Sequence, residues 1–466
     1  MKVTRLQIPL IGLATLIPRP TFGLQDAAPP GPAPGYAFVD ATVVTMGDAG
    51  VLERHTVVVR GDTIVAVGPS GAVDVPVGYE RIDASGRYLM PGLVDAHVHL
   101  SGHANLLANL RYGVTSVLQM SGQRGDIADF LALRDEIDRG ETIGPRLFLT
   151  GPMFDRIGLA RQTTAYAIPS AEDVPRVLRD HLAAGYDFVK VHNSTPHDVY
   201  RTLVATSSIP VVGHIPLGLS ADEAIAAQAM LAHSEVLYYA LFYDWSCTDG
   251  PYQCMADTRP DMSALDDIVE RIADSGIAVT ANLAHLATER SNDDDWDAVL
   301  ADPEFRYLDT AMRARWQVDN PNARVGGERE LRRRAVENQV EFDRELVARL
   351  SARGVPVLAG TDAGVEGLFP GRAIHLELRE LVTAGLTPEE ALATATSTPG
   401  RFFRRHVPRS RDLGRVEEGF VADLILVDAD PLADVANAAR LRGTMSRGVW
   451  HPVEALDARR ADAIGH

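Results

Sequence analysis

His97 and His99 stand one residue apart in VDAHVHL. On an extended strand, residues i and i+2 leave the same face, so two imidazoles converge on one point, as a divalent metal requires. Lys190 lies in DFVKVH, and a lysine inside an apolar strand is costly unless it is neutralised or paired. His214 lies in VVGHIP, His233 in LAHSE and Asp362 in LAGTDAG, where the glycines let the backbone turn tightly. Taken singly, each is more often a satisfied structural residue, and a lone H-x-H is more often a surface coincidence than a metal site. Their spacing argues otherwise. Lys190, His214 and His233 follow one another at intervals of 24 and 19 residues, each the length of one strand-plus-helix unit.

Eight short apolar runs would carry these groups: 93–100, 115–120, 146–151, 188–192, 211–215, 231–235, 278–283 and 356–362. Helical patterns lie between them, such as SADEAIAAQAMLA from Ser220. The alternation predicts an α/β fold, a (β/α)8 TIM-like barrel over 91–409. A doubly wound open sheet is the alternative, disfavoured because no glycine fingerprint follows the first strand. β-branched runs from Tyr36 to Tyr88, and again in ADLILVDAD and GTMSRGVWHPV, predict a small β-sandwich module made by both chain ends, 36–90 and 410–456. The interval from His285 to Pro356 exceeds one unit. Its charged sequence predicts a helical insertion near 286–350, read either as a lid or as a solvated decoration.

The chain has 466 residues, 46% of them hydrophobic, with 45 basic against 63 acidic side chains and a formal charge of −18. Such a surface repels phosphate backbones, so nucleic acid is excluded as a partner. No apolar run reaches the roughly 20 residues of a membrane span. Lys2 and Arg5 precede a mostly apolar stretch, which predicts a signal peptide over 1–28, followed by a Pro/Ala/Gly linker at 29–35. Export to the periplasm or medium follows, with a frayed tail on a cytoplasmic protein as the alternative. The two cysteines, Cys247 and Cys254, then read as one loop disulfide, and as free thiols if the chain stays in the cytoplasm.

These motifs resemble the amidohydrolase superfamily in its two-metal form. PGLVDAHVHL, Lys190, the single histidines 214 and 233, GTDAG and the closing EEGFVADLILVDADPL carry the likeness, from about Tyr36 to Pro452. HLELRELVTAGLTPEEALATATSTPGR from His375 is similar to the dipeptidase (Xaa-Pro/Xaa-Arg dipeptidase-like) and imidazolonepropionase-like branch. The resemblance implies that His97, His99 and Asp362 hold one divalent ion and His214 and His233 a second. Lys190, as N6-carboxylysine, would bridge them. Zn suits the histidines, though Mn, Co or Fe fits the same ligands. It also implies amide hydrolysis by a metal-bridging hydroxide, with Asp362 moving the proton.

Tyr238, Tyr239, His285 and Arg372 follow the sixth, seventh and eighth expected strands, places from which a loop residue can meet a substrate carboxylate. A dipeptide or N-acyl amino acid is the expected small-molecule substrate, and a cyclic amide the second choice. A catalytically inactive metal- or ligand-binding barrel is the rival from another class. A sugar-cleaving barrel would want paired carboxylates and aromatic platforms, and only 6% of the residues are aromatic. Self-association into a homo-oligomer stays open.

Overall fold

The computed structural model describes residues 35–121, 129–155, 165–168, 170–244, 246–247, 251–318 and 328–464. The expected signal peptide and all of the linker but Gly35 lie outside them. Both chain ends build one eight-stranded mixed sheet. Its N-terminal strands are β1 (Gly35–Val44), β2 (Val51–Arg60), β3 (Thr63–Pro69), β4 (Glu80–Asp83) and β5 (Tyr88–Pro91). They are joined by three strands from the other end, which are numbered in chain order after the central set described next.

That set begins with β6 (Leu93–Val98), β7 (Val114–Gln119), β8 (Arg146–Leu149), β9 (Met153–Asp155) and β10 (Ala165–Ala167). It continues with β11 (Val189–Val191), β12 (Val211–Gly213), β13 (Met230–Leu231), β14 (Ala278–Thr280) and β15 (Val357–Leu358). β16 (Leu424–Val427), β17 (Leu441–Ser446) and β18 (Val449–Pro452) complete the mixed sheet, in the order β18-β17-β16-β5-β1-β2-β3 with β4 on β1. The join is antiparallel, Leu424 opposite Pro91 and Val427 opposite Tyr88. Phe38, Val57, Ile64, Leu89, Leu424 and Met445, all fully buried, share one apolar cluster, so strands from both ends cover the same core.

The central strands form two parallel sheets, β6-β7-β8 and β10-β9-β11-β12-β13-β14-β15. Two seams join them. At one, the Asp187 and Phe188 amides donate to the Leu149 carbonyl at 2.9 and 3.2 Å. At the other, Ala96 N–H reaches Ala359 O at 2.9 Å and Asp362 N–H reaches His97 O at 2.8 Å. Each of the eight expected runs overlaps one of these strands. β9 and β10 were not expected, because MFD and AYA show no alternation long enough to read as strands.

Alternate strand residues, among them Val94, Leu118, Phe148, Phe188, Val212 and Leu358, meet one apolar cluster with Phe402 and Phe403. Those two phenylalanines lie on the helix Ser397–His406, and Phe403 stacks on Phe148 with ring centroids 3.8 Å apart. They fill the end where the strands begin, which leaves the other end for polar groups. Between β14 and β15 the described residues include the α-helices Leu283–Asp294, Trp296–Ala301, Thr310–Val318 and Arg329–Ala352. The long last one packs on the helix Pro251–Asp257, which holds Cys254, disulfide-bonded to Cys247. No helix among the described residues is long and apolar enough to cross a membrane.

Candidate metal centre

The six groups singled out by type and spacing sit at the ends of five strands, and local backbone geometry aims each of them. On β6, Val94 and Ala96 face the apolar cluster, so simple alternation would send His97 the other way. A register shift between Asp95 and Val98 breaks the alternation. Such a bulge re-aims side chains, and it turns His97 and His99 inward while Val98 joins the outer core. Asp95 pins the bulge: its carboxylate accepts from the Thr361 hydroxyl at 2.6 Å, the Thr361 amide at 3.0 Å and the His97 amide at 3.2 Å. Burial still pushes its pKa up to about 7.

Lys190 and His214 need no such device. Lys190 follows Phe188, and His214 follows Val212, by two residues on their own strands, so each inherits the inward face. His233 comes one residue after the inward Ala232 and turns in through a left-handed backbone, φ 69°. Its amide is held by Thr280 Oγ1 at 2.9 Å. Asn282 and Asp362 are left-handed as well, φ 54° and 60°. Non-glycine residues in this region store strain that the surrounding structure must hold.

The groups converge. Asp362 Oδ1 lies 2.9 Å from His99 Nε2 and 3.3 Å from His97 Nε2. The ring of His233 is 4.4 Å from that of His97 and 5.0 Å from that of His214. Lys190, 2% exposed, depresses the pKa of all three of those histidines by its charge, which places its ammonium among them. Burial is the larger cause: it drives His97 and His214 well below the usual histidine range and His233 to about 3. Burial would raise Asp362, but His99 and His97 outweigh it and hold the acid ionised. Burial thus favours the neutral imidazole at His97, His214 and His233, the state in which histidine binds metal.

The residues fit a metal on a second ground. Among the described residues, both ring nitrogens of His97, His214 Nε2 and His233 Nδ1 are buried without a hydrogen-bond partner. Buried polar atoms are normally satisfied, so each such atom calls for an explanation. His97, His99 and Asp362 bring donor atoms within 4.8 Å of one another, and so do His233, Glu235 and His285. Sequence reasoning missed Glu235; its signal was the short H-S-E step from His233.

The four expected substrate contacts divide. His285 and Tyr239 stand near the donors: the His285 ring is 6.2 Å from that of His233, and Tyr239 feels the charge of Glu235. Tyr238 does not face the centre. It is fully buried, and its hydroxyl donates to the Met255 and Thr258 carbonyls at 3.2 Å, which makes it a packing residue. Arg372 makes two hydrogen bonds to Asp302, at 2.9 and 2.8 Å, and lies over Phe369, partners that compete with a substrate carboxylate.

Comparison with known proteins bears on the family of the chain. The imidazolonepropionase of Chromobacterium violaceum is 27% identical over 417 residues, covering 86% of this chain and 92% of its own. Among solved structures, bottromycin amidohydrolase superposes with a TM-score of 0.69 at 22% identity, over 92% of this chain and 91% of that one. A Xaa-Pro dipeptidase with methionine in its active site superposes at 0.63 and 18% identity, over 90% of this chain and all of that one. At those identities the two structures speak for the fold. The amidohydrolase family model matches residues 88–450. Every donor described above falls inside that span, and the chain belongs to the amidohydrolase family, as a metal-binding hydrolase of C–N bonds.

Proposed function

We propose that the chain hydrolyses the amide bond of a dipeptide or an N-acyl amino acid. The observation that carries this is the convergence of buried, unpartnered donors on His97, His214 and His233, and of Asp362, around Lys190. His97, His99 and Asp362 would hold one divalent ion, and His214 and His233 a second. Lys190, carboxylated on Nζ, would bridge them. Divalent zinc or a similar ion bound there supplies Lewis acidity, acidifying water and polarising a carbonyl.

Asp362 sits where an ionised carboxylate can take a proton from water and hand it to the leaving nitrogen. Tyr239 and His285 line the approach and would meet the substrate. The amino-acid ligand of the dipeptidase neighbour supports a substrate of that size.

The two seams support closure of the eight strands into a barrel over 91–409, with 36–90 and 410–456 as a β-sandwich module and the helices near 286–350 as its insertion. The disulfide supports export, with 1–28 as the signal peptide. A second reading, hydrolysis of a cyclic amide, is favoured by the likeness to imidazolonepropionase over most of both chains. A panel of dipeptides, N-acyl amino acids and imidazolone propionate, run on zinc-loaded and chelated protein, separates them. Turnover of imidazolone propionate alone sinks the peptide reading, and metal-independent turnover sinks both.

A further inference from the structure

His233, Glu235 and His285 bring one donor atom each within 4.8 Å of one another. Only His233 belongs to the six-residue set above. Glu235 opens the helix Glu235–Leu241, and His285 lies in the first turn of the helix Leu283–Asp294. Bonds of about 2.1 Å put tetrahedral donors about 3.4 Å apart, so side-chain shifts of up to about 1.4 Å bring these three around a common cation.

Three features point to a ligand there. His285 Nδ1 and His233 Nδ1 are buried, and no hydrogen bond reaches either among the described residues. The other nitrogen of His285, Nε2, faces Glu289 Oε1 at 3.9 Å, and Glu289 in turn faces Arg332 Nη2 at 3.6 Å. A ligating histidine commonly has its second ring nitrogen oriented by a carboxylate in this way. The charge is also favourable. Glu289, Asp362, Glu235 and Glu366 all act on His285, an acidic surrounding that attracts a cation.

We propose that His233, Glu235 and His285 form an alternative seat for the second divalent ion, offset from the seat made by Lys190, His214 and His233. The inference rests on the two-ion reading. The two seats share His233, so one ion occupies one or the other. Two nitrogens and a carboxylate oxygen suit zinc, manganese, cobalt or ferrous iron. Movement of that ion between seats would leave the ion on His97, His99 and Asp362 undisturbed.

The test counts ions in the full-length protein after chelation, reloading with Co²⁺ and desalting. Wild type should hold two equivalents. His214→Asn damages only the first seat and should still hold two, the second bound about 10-fold more weakly, the lower end of the usual loss for an altered metal site. His214→Asn combined with Glu235→Gln and His285→Asn should hold one. One equivalent in His214→Asn, or two in the triple variant, overturns the offset seat. Fewer than two in wild type overturns the two-ion reading and the seat with it. If His214→Asn does not fold, diffraction from wild-type crystals at the cobalt edge decides. A peak of about one-tenth occupancy, as a tenfold weaker seat implies, is expected within bonding distance of His285 Nδ1 and a Glu235 oxygen, and its absence at saturating Co²⁺ overturns the proposal.

Discussion

Asp187 and Asp362 are both buried carboxylates at the rim of the same strands, at opposite ends. Asp187, just before β11, accepts from the Leu149 amide at 2.9 Å and from Arg409 Nε and Nη2 at 2.7 Å each. Asp362 stands where the strands finish, in a left-handed backbone, and its Oδ1 meets two imidazoles, at 2.9 and 3.3 Å. The contrast extends to their neighbours. At the Asp187 end Phe402 and Phe403 fill the space between the strands, whereas at the Asp362 end orphaned nitrogens face one another. A buried charge with every partner in place fastens a fold. A buried charge among unsatisfied donors is arranged for something the chain does not itself supply.

Four experiments bear on that contrast, from the largest effect to the smallest. Asp362→Asn should lower kcat of the metal-loaded enzyme by on the order of 10²–10⁴-fold, the usual contribution of a proton-transfer group. Its thermal midpoint should barely move, and wild-type turnover would erase the distinction between the two aspartates. Asp187→Ala should do the opposite. It strands Arg409 and should cost about 3 kcal/mol in urea unfolding, while kcat per folded molecule is unchanged. A stability loss under about 1 kcal/mol would mean that the pair is screened like a surface one.

Cys254→Ser opens the short loop to Cys247, and loop entropy sets the expected loss at about 2 kcal/mol. Dithiothreitol should then shift wild type and leave the variant unmoved. The last effect is a tilt with pH, about 1.4 kcal/mol per pH unit. Glu377, fully buried, accepts a hydrogen bond from the Ala284 amide at 2.6 Å, and burial raises its pKa from 4.5 to about 8. Between those values the folded chain holds a proton that the unfolded chain has lost, so this group makes wild type less stable as pH rises. Glu377→Gln does not titrate, so its stability relative to wild type should climb from pH 5 to pH 8. A flat difference in urea midpoints would mean that Glu377 stays ionised.

The succession of the eight expected strands could be read from spacing, because one strand-plus-helix unit has a narrow length. The aim of each side chain was less legible. Lys190 and His214 obey simple alternation. His97 reaches the centre only through the bulge after Asp95, and His233 only through a positive φ, and no residue type announces either. The partners of Arg372 and Tyr238 were not legible, because position along the chain says nothing about a competing partner. Asp302 lies 70 residues from Arg372, and the Met255 and Thr258 carbonyls lie 17 and 20 residues from Tyr238.

The pairing of β5 with β16 sets an order of events for the newborn chain. When the ribosome has delivered residue 420, β1, β2 and β3 have been made, yet one side of β5 still lacks its partner. Closing that gap brings together residues more than 330 positions apart, a slow search by contact-order arguments. Until then an apolar edge stays open to other chains. Loss of the last 45 residues should therefore yield aggregates rather than a smaller soluble enzyme.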